Sequence, residues 1–286
     1  MVKIFRLYLK LTFVFIGSFM SVGFFTKLYQ PGVTKSFRHM SEVGKYILKK
    51  IKNYNPADVL CAFDIDFTLI QTDHPACYIP NVRKYLKIYN DIERQYPSID
   101  PCVAFFYCFE EPQHLVDAGI YAVLDQLKDI PKIAFTATPT GAFEHVKRLE
   151  VLRYQQLLEK QLQFKCNAPE DDFVLEECPS HRGTKPTFYK GVLCSNSEKG
   201  TTNKGSVLCA FLRKLNWTPK LVILIDDRSK NLRDASKALK KDFSHTKFIG
   251  LKYLGAHDYC PQGITEEAYR DYWANCFSKA QAFETR

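Results

Sequence analysis

No two of the ten cysteines in this 286-residue chain are spaced as Cys-x-x-Cys. That absence removes a zinc ribbon and a thioredoxin-type redox site. The single Cys178-x-x-His181 has no second pair to close a zinc site. No cysteine precedes Cys61, which argues against a lipid-modified N-terminus. Internal repeats and low-complexity tracts are missing, so solenoids and arrays are out. The long apolar run at 11–26 spans sixteen residues, short of the roughly 20 that a spanning helix needs. Acids are scarce at one end: residues 1–52 hold ten Lys/Arg against the lone Glu42. The formal net charge of +9 therefore belongs to that segment, and residues 53–286 balance at thirty of each sign. With a neutral body and no basic stripe interleaved with aromatics, nucleic acid is not an expected partner.

What the N-terminus does contain is readable. Lys3, Arg6 and Lys10 precede the apolar run, and Lys27 closes it. This is the charged-then-apolar pattern of an export signal, with small residues at Ser21-Val22-Gly23 for cleavage. Residues 1–26 are expected to be a signal peptide, or a membrane anchor if uncleaved. The protein would then be periplasmic, secreted or tethered to the membrane by this segment. Disulfides are permitted in such a compartment. Cys61 and Cys209 fall on a strand and a helix, where buried free thiols are common. Pairing of the others stays open.

At 46% hydrophobic and 25% charged the chain is an ordinary globular one. Residues 27–54 read as a basic helical segment, with an amphipathic helix at 34–52 presenting Phe37, Val43, Ile47 and Ile51 on one face. Asn55-Pro56 ends it. Apolar strands are predicted at 59–63, 132–136, 221–225 and 247–251. Helical stretches at 118–128, 142–163, 205–214 and 230–240 separate them, and 265–283 is helical again. Strands that are apolar throughout, alternating with helices, imply an α/β fold: a Rossmann-like parallel sheet with helices on both faces, over residues 55–286. Two long insertions interrupt it. Residues 71–117 carry a helix near 81–95 and an aromatic run at 105–109, and residues 164–200 carry loop and short-strand signals. Both are expected near the carboxyl edge of the sheet, forming a small cap.

Four features then fall at strand ends in chain order. Asp64-Ile65-Asp66-Phe67-Thr68 follows the first strand, and Thr136 ends the second. Lys204-Gly205 opens a helix, and Asp226-Asp227 follows the strand at 221–225. Singly each has an ordinary explanation: a turn rich in Asp, a capping Thr, a solvated Lys, a helix cap. Together they sit where open α/β sheets bind ligands, at the carboxyl ends of the strands.

In this order and context the chain resembles the haloacid dehalogenase superfamily, in particular its exported acid-phosphatase-like and related bacterial members. The resemblance covers roughly residues 57–255, and the Asp64-x-Asp66 and Asp226-Asp227 motifs are its specific part. It implies a Mg²⁺-dependent phosphomonoester hydrolase acting on a small phosphorylated substrate. Asp64 would be the nucleophile that forms an aspartyl-phosphate, and Asp66 the general acid/base. Thr136 and Lys204 would hold the phosphoryl group. Asp64, the Asp66 carbonyl and Asp226 would hold the metal, with Asp227 as a further metal-site carboxylate. Lys199-Gly200 competes with Lys204-Gly205, which is preferred because an apolar helical pattern follows it directly.

The chemistry independently asks for such a set. A carboxylate about 4 Å from a phosphate dianion is repelled by about 8 kcal/mol at an effective dielectric near 20. Left uncompensated, that repulsion would cost about five to six decades in rate. A hard divalent cation on oxygen ligands and one ammonium remove it. Two other readings use the same residues. One is a non-catalytic binding or effector protein on the same fold. The other is a glycosyltransferase holding a metal and a nucleotide diphosphate on Asp64-x-Asp66, which leaves Lys204 and Asp226-Asp227 without a shared task.

Overall fold

The computed structural model of the chain describes residues 32–166, 168, 171–197 and 202–285. The expected signal or anchor at 1–26 and the competing Lys199 lie outside the described residues. No helix among the described residues is long and apolar enough to cross a membrane.

The four predicted strands form the centre of an eight-stranded sheet. In chain order its strands are β1 (Lys35–Phe37), β2 (Val59–Phe63), β5 (Lys132–Thr136), β6 (Asp172–Val174), β7 (Thr187–Tyr189), β8 (Val192–Cys194), β9 (Leu221–Asp226) and β10 (Lys247–Tyr253). A separate antiparallel pair joins β3 (Ile70–Thr72) to β4 (Gln113–Leu115). The large sheet runs β1-β10-β9-β2-β5-β8-β7-β6, parallel from β1 through β8, with β7 and β6 added antiparallel at one edge. From β2 the chain builds outward through β5 to β8 on one side, then crosses back to place β9 and β10 on the other. Strand order therefore reverses between β2 and β9, and ligands of open α/β sheets bind in the crevice at such a reversal.

The apolar strands are buried on both faces, and their alternation sorts residues between two cores. Val59, Cys61 and Phe63 join Leu221, Ile223 and Ile225 on one face, under α1 (Met40–Ile51) and α5 (Ile120–Gln126). Leu60 and Ala62 join Val222 and Leu224 on the other, under α7 (Lys204–Lys214) and α8 (Ser229–Asp242). Each Val, Leu, Ile or Phe among them contributes about 1.5–3 kcal/mol on leaving water, and because side chains alternate, a one-residue slip of β2 would reverse both faces at once.

Two sequence expectations need correction. Residues 27–54 are not a separate helical segment over their described part. Lys35, Ser36 and Phe37 form the edge strand β1, in register with Leu251, Lys252 and Tyr253. The helix begins only at Met40, and Met40, Val43 and Ile47 are fully buried in the main core. Pairing with β10 overrides the helical spacing that included Phe37. Likewise, residues 164–200 are not an insertion throughout. They contain β8, a strand of the parallel sheet, and the β6–β7 hairpin that extends it. A three-residue strand is too short to show the apolar run by which its neighbours are recognised.

The insertion at 71–117 is a second body of structure. It leaves β3, forms α2 (Ile79–Lys84), α3 (Leu86–Gln95) and α4 (Pro101–Phe106), and returns as β4. Its apolar face meets α9 (Glu266–Glu284), the predicted C-terminal helix, through Tyr269, Trp273, Phe277 and Ala280. The cap is thus built from two distant pieces of chain. α9 covers its aromatic core, with Tyr89 edge-on to Trp273 and Phe105 stacked on it.

Candidate active site

Asp64 directly follows β2, and its backbone N–H still donates to Ile225 O of β9 at 2.8 Å. That bond places Asp64 beside Asp226, the last residue of β9. Two turns of sequence thereby become one site across the strand-order reversal. Lys204 is fixed there by its helix start. Asn203 caps α7, its side chain accepting from Ser206 N at 3.0 Å while Ser206 Oγ accepts from Asn203 N at 3.3 Å. Gly205 lets α7 lie against α8: a Cβ there would stand 2.2 Å from Asp234 O. Lys204 then projects inward, 2% exposed, across the ring of Phe135.

Its Nζ donates to Asp64 Oδ1 at 2.6 Å and to Asp226 Oδ2 at 2.7 Å. Asp64 Oδ1 also accepts from Ile65 N at 2.8 Å. Asp226 is held from the far side, its Oδ1 accepting from Arg228 N at 2.8 Å and from Asn231 Nδ2 at 3.0 Å. Asp227 completes a trio with Asp64 and Asp226, whose carboxylate oxygens lie within 4.8 Å of one another. The helix-cap reading of Asp227 fails, because α8 is preceded by Arg228 with no side-chain cap.

Three carboxylates meet the Lys204 ammonium and, at Asp227, the pull of Arg228, which leaves negative charge in excess in a largely buried space. The electrostatics register the imbalance. Burial first, and Asp226 second, push the Asp64 carboxyl well above its ordinary value, against the pull of Lys204. Burial chiefly, opposed by Arg228 and aided by Asp226, raises Asp227 to about 7. For Lys204, burial alone would lower the ammonium, but Asp226 and Asp64 outweigh it and hold it above its usual value. An all-oxygen donor set with negative charge in excess fits a hard divalent cation of the Mg²⁺ type.

Asp66 goes elsewhere. Its Oδ1 accepts from Arg153 Nη2 at 2.5 Å, and its Oδ2 accepts from Thr136 Oγ1 at 3.3 Å. Thr136 Oγ1 also meets Thr138 Oγ1 at 2.7 Å and accepts from Thr138 N at 3.1 Å. Only Ile65 stands between the two aspartates, and in the turn that follows Asp66, Phe67 adopts φ 60°, a left-handed conformation rare for a bulky residue. Phe67 N donates to Ile70 O at 2.9 Å, and the ring lies 6.2 Å from Phe105 of the cap. The turn thus leads directly into the cap. Thr68 is fully buried, and its hydroxyl has no hydrogen-bond partner among the described residues.

Sequence reasoning missed Arg153. It lies on α6 (Leu149–Glu159), is fully buried, stacks over Phe109 at 4.3 Å, and donates through Nη1 to Gln156 Oε1 at 2.7 Å. Gln156 in turn donates to Phe109 O at 2.6 Å, so the Arg153 pair is anchored to the cap. Its signal is present in retrospect. Arg153 falls on the same face as the buried Leu149 and Leu157, where a solvated arginine has no place. Cys61 and Cys209, by contrast, are buried thiols as expected, each pushed up to about 12 chiefly by burial.

The chain is 26% identical over 217 residues to an uncharacterised protein of Rickettsia bellii, covering 71% of this chain and 70% of that one. It is 25% identical over 211 residues to an uncharacterised protein of Rickettsia typhi, with the same coverage of each. A third relative, from Rickettsia prowazekii, is 31% identical over 127 residues, 43% of this chain and 41% of its own. No solved structure matches the chain. Residues 36–275, which hold every site residue named above, match the family described as "Protein of unknown function (DUF2608)", and the chain belongs to that family.

Proposed function

We propose that this chain is a Mg²⁺-dependent phosphomonoester hydrolase of the haloacid dehalogenase type. The observation that carries the reading is the division of labour among its carboxylates. Asp64, Asp226 and Asp227 converge on Lys204 at the strand-order reversal, while Asp66 is held apart by Arg153 and Thr136. One group of acids is arranged to hold a cation and the other to handle a proton.

In this reading Asp64 attacks the phosphorus of a phosphomonoester, forming an aspartyl-phosphate as the bond to the leaving oxygen breaks. Asp66 gives that oxygen its proton. Asp66 then takes a proton from the water that attacks the aspartyl-phosphate, releasing inorganic phosphate and restoring Asp64. Lys204 offsets the charge gathered between nucleophile and phosphoryl group, where preorganised charge supplies most of the rate. Asp64, Asp226 and Asp227 would hold Mg²⁺, which when bound supplies the charge compensation that one ammonium cannot. Thr136 would turn its hydroxyl from Asp66 to a phosphoryl oxygen. The cap, through Phe105 and Phe109, would decide which phosphorylated molecule reaches the site.

The test is release of inorganic phosphate from p-nitrophenyl phosphate and a panel of phosphorylated metabolites, with Mg²⁺ and with EDTA. Release is expected only with the metal, and is expected to vanish in Asp64→Asn. Turnover that survives either change would overturn the mechanism.

A further inference from the structure

The cap has a neck. The chain leaves the site through β3 and returns through β4, and these strands pair with Thr72 opposite Gln113. Just above the pair, Cys77 ends one short 3-10 helix (Pro75–Cys77) and Cys108 lies in another (Tyr107–Phe109). Their sulfurs approach to 3.1 Å, and each residue is 1% exposed. A disulfide needs a separation of about 2.05 Å, so closing it takes a shift of about 1 Å shared between two side chains. Tyr272 of α9 covers the pair, its hydroxyl 3.5 Å from Cys77 Sγ and 3.4 Å from Cys108 Sγ.

We propose that Cys77 and Cys108 form a disulfide that clamps the neck of the cap. The oxidant is an external disulfide, either a small molecule such as oxidised glutathione or a disulfide-donating protein. The thiolate of one cysteine attacks a sulfur of that disulfide, breaking its S–S bond and releasing one external thiolate. The second cysteine's thiolate then attacks the mixed disulfide and displaces the other external thiolate. One S–S bond forms between Cys77 and Cys108 while one is lost. The cysteines surrender two electrons, and their two protons end on the two external thiols. In the folded state burial, with the neighbouring Cys77, holds the Cys108 thiol well above its ordinary value, so thiolate is scarce there. The exchange therefore belongs to folding, before α9 brings Tyr272 over the pair.

The bond would close a loop spanning 31 positions of sequence, the whole of α2, α3 and α4. It would pin the base of the segment carrying Phe105 and Phe109 against the turn of Phe67. The proposal does not depend on what the site below catalyses.

The test is to fold the full chain in a buffer of oxidised and reduced glutathione. The protein is then alkylated in denaturant without reductant and its digest mapped by mass. The expected result is one linked peptide pair joining Cys77 to Cys108, two hydrogens lighter than the separate peptides. On reduction the wild-type midpoint of thermal unfolding should fall by about 7–11 °C, from the loop-closure entropy released. The same reduction should leave a Cys77→Ser, Cys108→Ser variant unmoved. Recovery of both cysteines alkylated, or linkage of either to Cys276 or another cysteine, would overturn the proposal. The peptide map needs only the wild-type chain, so it decides the matter even if the serine variant fails to fold.

Discussion

Replacing Lys204 by Met removes the ammonium that joins Asp64 to Asp226 and keeps the volume of the side chain. Each contact, at 2.6 and 2.7 Å, is an attraction of about 6 kcal/mol at an effective dielectric near 20. Much of that gross gain is spent on desolvating the ammonium, whose side chain is 1% exposed. Stranding buried carboxylates without their partner typically costs about 3–5 kcal/mol. At about 2–4 °C per kcal/mol, the variant should melt about 10 °C below wild type in EDTA. Mg²⁺ should then act unequally on the two proteins. In wild type it would share Asp64 and Asp226 with Lys204, whereas in the variant it would meet the three carboxylates without that ammonium. The Mg²⁺-induced rise in melting temperature should be larger in Lys204→Met, following the tighter binding by mass action. Phosphate release should be lost despite the bound metal. Scanning calorimetry of both proteins in EDTA and in millimolar Mg²⁺ is the assay. Equal midpoints in EDTA, or equal rises with Mg²⁺, would refute the electrostatic reading of the site.

Other expectations follow from the same geometry. Arg153→Met leaves one oxygen of Asp66 without its guanidinium. Because the Asp66 side chain is 25% exposed, water limits the loss to about 2–3 kcal/mol in chemical denaturation. The rate constant kcat should fall at least about tenfold with little change in KM, and Arg153→Lys should recover part of it by restoring the charge without the planar fork. An unchanged kcat in both would remove Arg153 from any role in positioning Asp66. His257 predicts a pH dependence of stability. Burial, then Arg83, lowers it to about 4 from the ordinary 6.5, and Arg83 Nη2 lies 2.8 Å from His257 Nδ1. Below pH 6.5 the unfolded chain takes up a proton that the folded chain refuses, so stability is full above that value and falls toward pH 4. After discounting for solvent screening the loss is about 1 kcal/mol, and His257→Gln should flatten that part of a melting-temperature curve between pH 4.5 and 7. A curve of identical slope in the variant would reject the assignment.

The parts of this protein legible in its sequence share one property: they are local. The apolar runs of β2, β5, β9 and β10 show because strands buried on both faces must be apolar at every position. Asp64, Thr136, Lys204 and Asp226 show because each directly follows, ends or opens such an element. The parts that were illegible depend on partners far away in sequence. β1 and β8 are three residues long, and only pairing with β10 and β5 makes them strands. Arg153 lies 87 positions from Asp66, and Cys77 lies 195 positions from Tyr272.

Read alone, the chain specified an α/β sheet with four chemically suggestive strand ends, because burial and turn chemistry write themselves into neighbouring residues. Which ends adjoin was decided only in three dimensions, when strand order reversed between β2 and β9 and brought Asp64 against Asp226. The same folding separated Asp66 from its companion two residues away, handing it to an arginine that no spacing rule connects to it. Ladder hydrogen bonds and buried ion pairs act through space over a few ångströms, whatever length of chain lies between their partners.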